Sequence, residues 1–389
     1  MGFTPCRADN DVWMRPAVKP NGEKYYEYIF VYTDDIMVIS HKPKPILEKL
    51  NVYFLLKPES IGQPNLYLGA TILQFTVKGD PRPKWAISSE LYVKEAVRLV
   101  KAWVDKRGLR LKTKAPGVLP SGYTPELDGS LELDDERATY FQSLIGILRW
   151  AVELGRIDIC TEVSVMSSYT AMPREGHLEA LFHIFAYLST HNRSKIVMDD
   201  EHVIVPAELT PDFAEFYPFA EDIMPEQMPE PRGKEVQITM FVDASHAANV
   251  VTRQSRTGVL IYVNRAPILW YSKKQNSIET STFGSEFMAL KTGVELLEGL
   301  RYKLRMMGIG MDGHAHVRVD NMSVVHNSSL PESTLKKKSN SIAYHYVRSK
   351  VAAGIARIAY EPTGSNLADM LTKIQPGPVR QRLAQKVLY

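Results

Sequence analysis

The sequence predicts an α/β (α+β) fold organised in two or three domains. Three observations carry that expectation. From residue 236 onward the pattern runs three strands, helix, strand, helix, strand, helix, which is how a layered sheet-and-helix domain reads. Residues 25–40 hold two β-branched and aromatic runs split by a turn. At Glu90 the apolar period changes to that of a helix. At 389 residues the chain also exceeds what one hydrophobic core usually organises.

Taken in order, the chain begins with β structure. Tyr25 to Thr33 (YYEYIFVYT) and Ile36 to Ser40 (IMVIS) form a hairpin pattern, with Asp34 and Asp35 placing two carboxylates at its tip. Leu66 to Phe75 reads as one further strand. Beyond Glu90, Val93, Val97, Val100 and Val104 recur at helical spacing, and Lys94, Arg98 and Lys101 form a basic stripe beside them. Pro116 to Pro125 is a Pro/Gly-rich joint. Helices are expected at Tyr140 to Leu154, at Ile159 to Tyr169 after a break at Gly155, and at His177 to Leu188. Residues 199–235 carry six prolines among many acidic side chains and read as a linker.

The last block opens with strands at Val236 to Val242, Gly258 to Val263 and Ile268 to Tyr271. A helix follows from about Ser281 to Met307, with Phe287, Leu290, Val294, Leu297 and Leu304 on one face. A strand at His316 to Val319 comes next. Helices near Ser341–Ala352 and Asn366–Thr372 then bracket a final strand, Ile355 to Tyr360.

Composition narrows the class. Hydrophobic residues at 44% and charged ones at 23% give an ordinary globular balance, which excludes wholesale disorder. No run approaches the roughly 18 consecutive apolar residues that span a bilayer, and residues 1–24 lack a secretory pattern. Cys6 and Cys160 are too few for a disulfide scaffold or a zinc site. A soluble intracellular protein is expected. The net charge of +3 hides a block structure: +7 over residues 1–120, −14 over 121–240 and +10 over 241–389. Two basic blocks flanking an acidic one suit a polyanion partner, although solvated faces produce the same arithmetic.

Four acidic residues of the last block stand where strands end or helices begin. Asp243 closes the first strand, Glu286 lies in the first turn of the long helix, Asp320 ends the fourth strand, and Asp369 sits in the final helix. Glu286 is about 40° around from Leu290, so it borders the inward face. Carboxylates crowded together repel unless cations hold them, and oxygen-only ligands are what Mg²⁺ prefers. Two such ions can clamp the attacking and leaving oxygens of phosphodiester hydrolysis. Acidic residues at such positions also serve as helix caps or solvated turns.

The strings VDAS (242–245), RQSRTG (253–258), WYSKKQ (270–275), STFGSEFMAL (281–290), VDNMSVV (319–325), YHYVR (344–348) and LADMLTK (367–373) occur in register. In this order and spacing they resemble the ribonuclease H domain of copia-type LTR retrotransposons. The resemblance implies a mixed five-stranded sheet with flanking helices and a metal site at Asp243, Glu286, Asp320 and Asp369. It implies two Mg²⁺ (or Mn²⁺) ions there and an RNA–DNA hybrid as the partner. His345 matches a family histidine as an auxiliary residue, with an exposed or helix-capping role as the alternative. Arg253, Arg256, Lys273 and Lys274 become candidate phosphate contacts, with the Lys336–Lys338 run as a second candidate or a solvated loop.

Upstream, YTDD (32–35) is similar to the Tyr-x-Asp-Asp hairpin of reverse transcriptases, so Tyr32, Asp34 and Asp35 read as a polymerase remnant. LGATI (68–72), SSELYVKEAVRLV (88–100), YFQSLIGILRWAVELGRIDI (140–159) and HLEALFHIFAYL (177–188) resemble the rest of the palm and the connection. That places Lys94, Arg98 and Lys101 where a template–primer backbone could pass; a solvated face is the alternative. The implied domains are 1–115 (palm and thumb), 116–194 (connection), 195–235 (linker) and 236–389 (nuclease). Such polymerases need a third carboxylate from an earlier strand. Asp9 and Asp11, in the segment leading into the hairpin, do not supply it. A truncated palm without polymerase activity is therefore expected, with Met1 an internal methionine or the start of a decayed copy. The rival reading is an inert, vestigial or co-opted nucleic-acid-binding relic. Survival of all four acids favours the nuclease, while the severed palm sheet with its open edge favours the rival. Cytoplasm, retroelement particle and nucleus fit this composition equally.

Overall fold

The computed structural model describes residues 1–389 except 58, 60, 114, 207–212, 214 and 336–339. The Lys336–Lys338 run therefore lies outside the described residues. The first sheet is an antiparallel meander of β1 (Thr4–Cys6), β2 (Asp9–Val18), β3 (Lys24–Tyr32) and β4 (Asp35–Ile39). Tyr32 pairs with Asp35, so Thr33, at φ +50°, and Asp34 make the turn. Asp9 and Asp11, read as lying ahead of the hairpin, fall within its partner strand β2. Cys6, Val12, Met14 and Tyr26 bury a small cluster against Met306, and the Tyr28 hydroxyl donates to the Met307 carbonyl at 2.7 Å. This sheet thus docks on the far end of the long helix of the last block.

After α1 (Pro43–Asn51), the stretch expected as one strand divides into β5 (Leu66–Tyr67) and β6 (Ala70–Thr76). Leu68 and Gly69 both take positive φ, +53° and +84°, the geometry of a two-residue hairpin turn. The glycine at 69 carried that break, which strand periodicity alone hides. β7 (Pro83–Ser88) completes the hairpin and leads into α2 (Glu90–Lys106). Val93, Ala96, Val100 and Val104 are its buried stripe, and Lys94, Arg98 and Lys101 are exposed.

Helices α3 (Asp135–Glu153), α4 (Cys160–Met166) and α5 (Glu175–Thr190) follow. Asp134 caps α3 by accepting the Arg137 N–H at 2.9 Å, and Gly155 at φ +102° turns the chain between α3 and α4. β8 (Lys195–Val197) pairs with β7, and Lys195 also exchanges both backbone hydrogen bonds with Tyr389, at 2.9 and 3.0 Å. The acidic Pro-rich stretch that follows has no helix or strand among its described residues, yet it is tied down. Asp222 bridges Arg301 at 2.9 Å and Arg305 at 2.5 Å, and Phe213 is buried.

The last sheet comprises β9 (Ile238–Ser245), β10 (Arg256–Val263), β11 (Ala266–Lys274), β12 (Ala315–Val319) and β13 (Ala356–Tyr360). Its spatial order is β11-β10-β9-β12-β13, the first three antiparallel and the last two joined in parallel. This is the mixed five-stranded sheet that the motifs implied. Side chains alternate across it. Met240, Val242, Val259 and Ile261 face α6 (Thr282–Met306) and α8 (Ser341–Ala352), with α7 (Met322–Ser329) at the margin. Leu260, Tyr262, Phe241 and Trp270 face the other way, into one core with α2 to α5 and with α9 (Gly377–Ala384). The helices of residues 116–194 are thus the second layer on this sheet. Trp270 Nε1–H donates to the Val152 carbonyl at 3.1 Å, and Ser164 Oγ donates to the Ser272 carbonyl at 2.6 Å. No described helix is long and apolar enough to cross a membrane.

Candidate metal centre

Asp243 does not close its strand as expected. β9 continues to Ser245, because Arg256 on β10 pairs there, so Asp243 is held rigidly inside the ladder opposite Gly258. Glu286 lies in the first turns of α6, whose N-terminus is capped by Ser281. Asp320 follows β12, and Asn321 caps the next helix by accepting the Ser323 N–H at 3.0 Å. From these three elements the carboxylates of Asp243, Glu286 and Asp320 converge, with one oxygen from each all lying within 4.8 Å of one another.

Burial makes this arrangement electrostatically uneasy. Desolvation, with Asp243 and Asp320 adding repulsion, pushes Glu286 up to about 9. Asp243 rises to about 6, again chiefly through burial, and Lys373 and a hydrogen bond from Thr372 hold it lower than it would otherwise stand. A cation among the three oxygens would relieve these penalties. The donor set is oxygen only, which suits a hard divalent ion such as Mg²⁺ or Mn²⁺.

Asp369 stands beside this group but is not part of it. It sits in a short 3₁₀ turn, Leu367–Leu371, where a regular helix was expected. Its Oδ1 receives the Lys373 ammonium at 2.6 Å, and its Oδ2 receives the Gln375 amide. Lys373 also lies 3.8 Å from Asp243 Oδ2. The sequence assigns no role to Thr372, Lys373 or Gln375, although the i, i+4 spacing of Asp369 and Lys373 is readable in it.

Gly258 explains how the 3₁₀ turn comes so close. A Cβ there would lie 2.6 Å from Thr372 Cγ2 and 2.9 Å from the Ala368 carbonyl oxygen. Gly258→Ala is expected to push that turn off the sheet, costing about 1–3 kcal/mol and weakening stabilisation by Mg²⁺. Thermal unfolding with and without Mg²⁺ checks this; unchanged curves would show that the close approach is unimportant.

The other candidate residues are scattered. Arg256, expected to meet phosphate, is buried instead, and its guanidinium donates to Ser164 Oγ at 2.7 Å and Ser272 Oγ at 3.3 Å. The strand turns it toward α4, so it joins the two layers. Lys274 does border open space. It lines a cleft of about 190 Å³ with Tyr123, Tyr169, Arg256 and Lys373, between the helical layer and the metal centre. Lys273 is exposed, as is Arg253, which takes φ +57° in the β9–β10 turn. His345 is exposed on α8, with its ring centroid 5.2 Å from that of Tyr344.

At the other end of the chain, Tyr32, Asp34 and Asp35 are exposed, and Asp35 accepts the Leu68 N–H at 3.3 Å. Asp34 and Asp35 belong to no three-residue ligand group among the described residues. Lys94 pairs with Glu90 at 2.5 Å and Arg98 with Glu95 at 2.7 Å, so two of the three stripe cations already have acidic neighbours on their own helix.

No family model matches the sequence. The chain is 23% identical over 365 residues to a retrovirus-related Pol polyprotein from transposon RE1 of Arabidopsis thaliana, covering 92% of this chain and 21% of the relative. It is 24% identical over 357 residues to the corresponding polyprotein from transposon TNT 1-94 of Nicotiana tabacum, covering 91% and 24%. The chain thus spans about a fifth to a quarter of the length of these curated relatives. Among solved structures, an N-terminal ribonuclease H domain from Mycobacterium tuberculosis, fused to maltose-binding protein, aligns at TM-score 0.27 and 14% identity. That alignment covers 39% of this chain and 98% of that one. The homologues of this chain are retrovirus-related Pol polyproteins of copia-type transposons.

Proposed function

We propose that this chain hydrolyses the RNA strand of RNA–DNA hybrids in a reaction that depends on Mg²⁺ or Mn²⁺. The observation that carries the proposal is the convergence of Asp243, Glu286 and Asp320 from three separate elements to within ligand distance. These three carboxylates would hold the metal, with Asp369 as the fourth ligand. A pair of bound divalent ions would supply an activated water and stabilise the 3′-oxygen leaving group, so that products carry 5′-phosphate and 3′-hydroxyl ends.

The chain's own residues account for the rest. The β9 ladder and the Thr372 hydroxyl fix the Asp243 carboxylate, so little reorganisation is needed on binding. Asp243 and Glu286 must give up their protons, so metal affinity is expected to rise with pH through their raised range. Lys273, Lys274 and Arg253 would contact phosphates, and Lys274 lines a cleft that also reaches Thr372 and Lys373. In a hybrid the wide minor groove displays the 2′-hydroxyls that mark the RNA strand.

The same reading assigns 1–115 to the palm and thumb, 116–194 to the connection, 195–235 to a linker and 236–389 to the nuclease. Polymerase chemistry is not part of it, because Asp34 and Asp35 have no third carboxylate within ligand reach among the described residues.

The test is cleavage of a labelled hybrid by the full chain with Mg²⁺, beside Asp243→Asn and a double-stranded RNA control. Wild type is expected to cut only the hybrid, and the variant to lose at least about 10³-fold in rate. Equal, background cutting by the two folded proteins would leave an inert nucleic-acid-binding relic as the better reading.

A further inference from the structure

The two oxygens of Asp369 are already taken, Oδ1 by the Lys373 ammonium at 2.6 Å and Oδ2 by the Gln375 amide. The other three acids are less engaged. Asp320 accepts from the Thr363 hydroxyl at 2.9 Å, and Asp243 accepts from Thr372 with Lys373 at 3.8 Å. The ammonium therefore stands between Asp369, at 2.6 Å, and Asp243, at 3.8 Å, and closer to Asp369. It reaches there from the residue four positions after Asp369, on a side chain that is 45% exposed and so free to swing out.

We propose that Lys373 is a tethered counter-cation that fills the Asp369 side of the centre, so that the centre takes up divalent ions in two unequal steps. This rests on the metal-centre reading given above. The Asp243–Glu286–Asp320 group, where among the described residues no ammonium lies within ion-pair distance of Glu286 or Asp320 and Lys373 is 3.8 Å from Asp243, receives the first ion. Binding between Asp243 and Asp369 requires Lys373 to let go of Asp369, and that exchange weakens the second step. Because the ammonium is held on the same turn, it competes at high effective concentration. It also keeps Asp369 and Asp243 apart from direct repulsion while the second position is open. Lys373 is in this sense a positioning residue: it sets when Asp369 becomes available as a ligand.

The experiment is a Mn²⁺ titration of the full chain without nucleic acid, with free ion counted by its electron paramagnetic resonance signal. In wild type two ions should bind, the second more weakly. Lys373→Gln should tighten the second step about two- to fivefold relative to the first, as expected for loss of one competing half-exposed ion pair. Lys373→Arg, which keeps the charge, should preserve the gap. The ratio of the two steps is the readout, because simple loss of a nearby positive charge would strengthen both alike. An unchanged ratio in Lys373→Gln, or equal steps in wild type, overturns the proposal while leaving the metal centre standing. If Asp243→Asn removes no bound Mn²⁺, the metal centre itself is wrong and the lysine's role falls with it.

Discussion

Glu286→Gln is expected to make the metal-free protein more stable while removing its response to Mg²⁺. In the fold Glu286 keeps its proton up to about 9, whereas in the unfolded chain it ionises near its ordinary 4.5. The folded state therefore binds the proton more tightly. The resulting destabilisation is absent below 4.5, grows as pH rises, and levels off above about 9. At pH 7 it amounts to something on the order of 3 kcal/mol. The neutral amide removes this penalty, so the melting temperature of the variant should exceed that of wild type in chelator at pH 7–8, and the two should converge near pH 4.5.

Adding Mg²⁺ should close most of that gap near pH 7. Wild type gains roughly 2.7 kcal/mol when the ion stands at a hundred times its dissociation constant, and the variant gains little because it lacks the ligand. Thermal unfolding at several pH values, with and without Mg²⁺, measures both halves. A variant less stable than wild type in chelator at pH 8 would contradict the repulsive picture of the site.

Arg380→Ala is expected to destabilise the chain by about 3–5 kcal/mol, the usual consequence of stripping one partner from a buried ion pair. Arg380, on α9, pairs with the fully buried Glu162 of α4 and donates to the Asp158 carbonyl at 2.5 Å. Asp158 is in turn held by Arg156 at 2.7 Å and by the Tyr187 hydroxyl at 3.0 Å. Burial already raises Glu162 to about 7 even with Arg380 beside it. Without the guanidinium its ionised form is still less favourable, so the loss should be worst above pH 7 and shrink as acid protonates the carboxyl. The double variant Arg380→Met with Glu162→Gln should recover much of the stability, since no lone charge remains. Chemical unfolding at pH 5 and pH 8 decides this. A single variant within about 1 kcal/mol of wild type at pH 8 would show that the α9–α4 tie is dispensable.

This buried network also marks a limit of sequence reading. Arg380 lies 222 and 218 residues from Asp158 and Glu162, and nothing in the local spacing announces a shared core. The same holds for Arg256. Beside Lys273 and Lys274 it reads as one more surface cation, yet strand parity turns it under α4 against Ser164. Local pattern did better where one element decides the outcome. The α2 stripe of Val93, Val100 and Val104 is buried, α6 runs Thr282–Met306, and the β3–β4 hairpin forms, its turn at Thr33 and Asp34 falling one residue before the expected Asp34–Asp35.

By itself the sequence determined the α/β class, the five strands and the helices α6 and α8 of the last block, though not α7 or α9, and the relationship to copia-type Pol polyproteins. Those properties follow from short-range periodicity and from motifs that keep their spacing. Only the tertiary structure decided that the helices of residues 116–194 form the second layer on the five-stranded sheet, and that Tyr389 closes back onto Lys195. It alone separated the acids into a converging trio and an Asp369 held by Lys373 and Gln375. The physical reason is that side-chain period says which face a residue occupies, whereas distances between carboxylates depend on how closely separate elements approach. Here that approach is set by Gly258, where one hydrogen in place of a methyl lets the Asp369 turn reach the strand carrying Asp243.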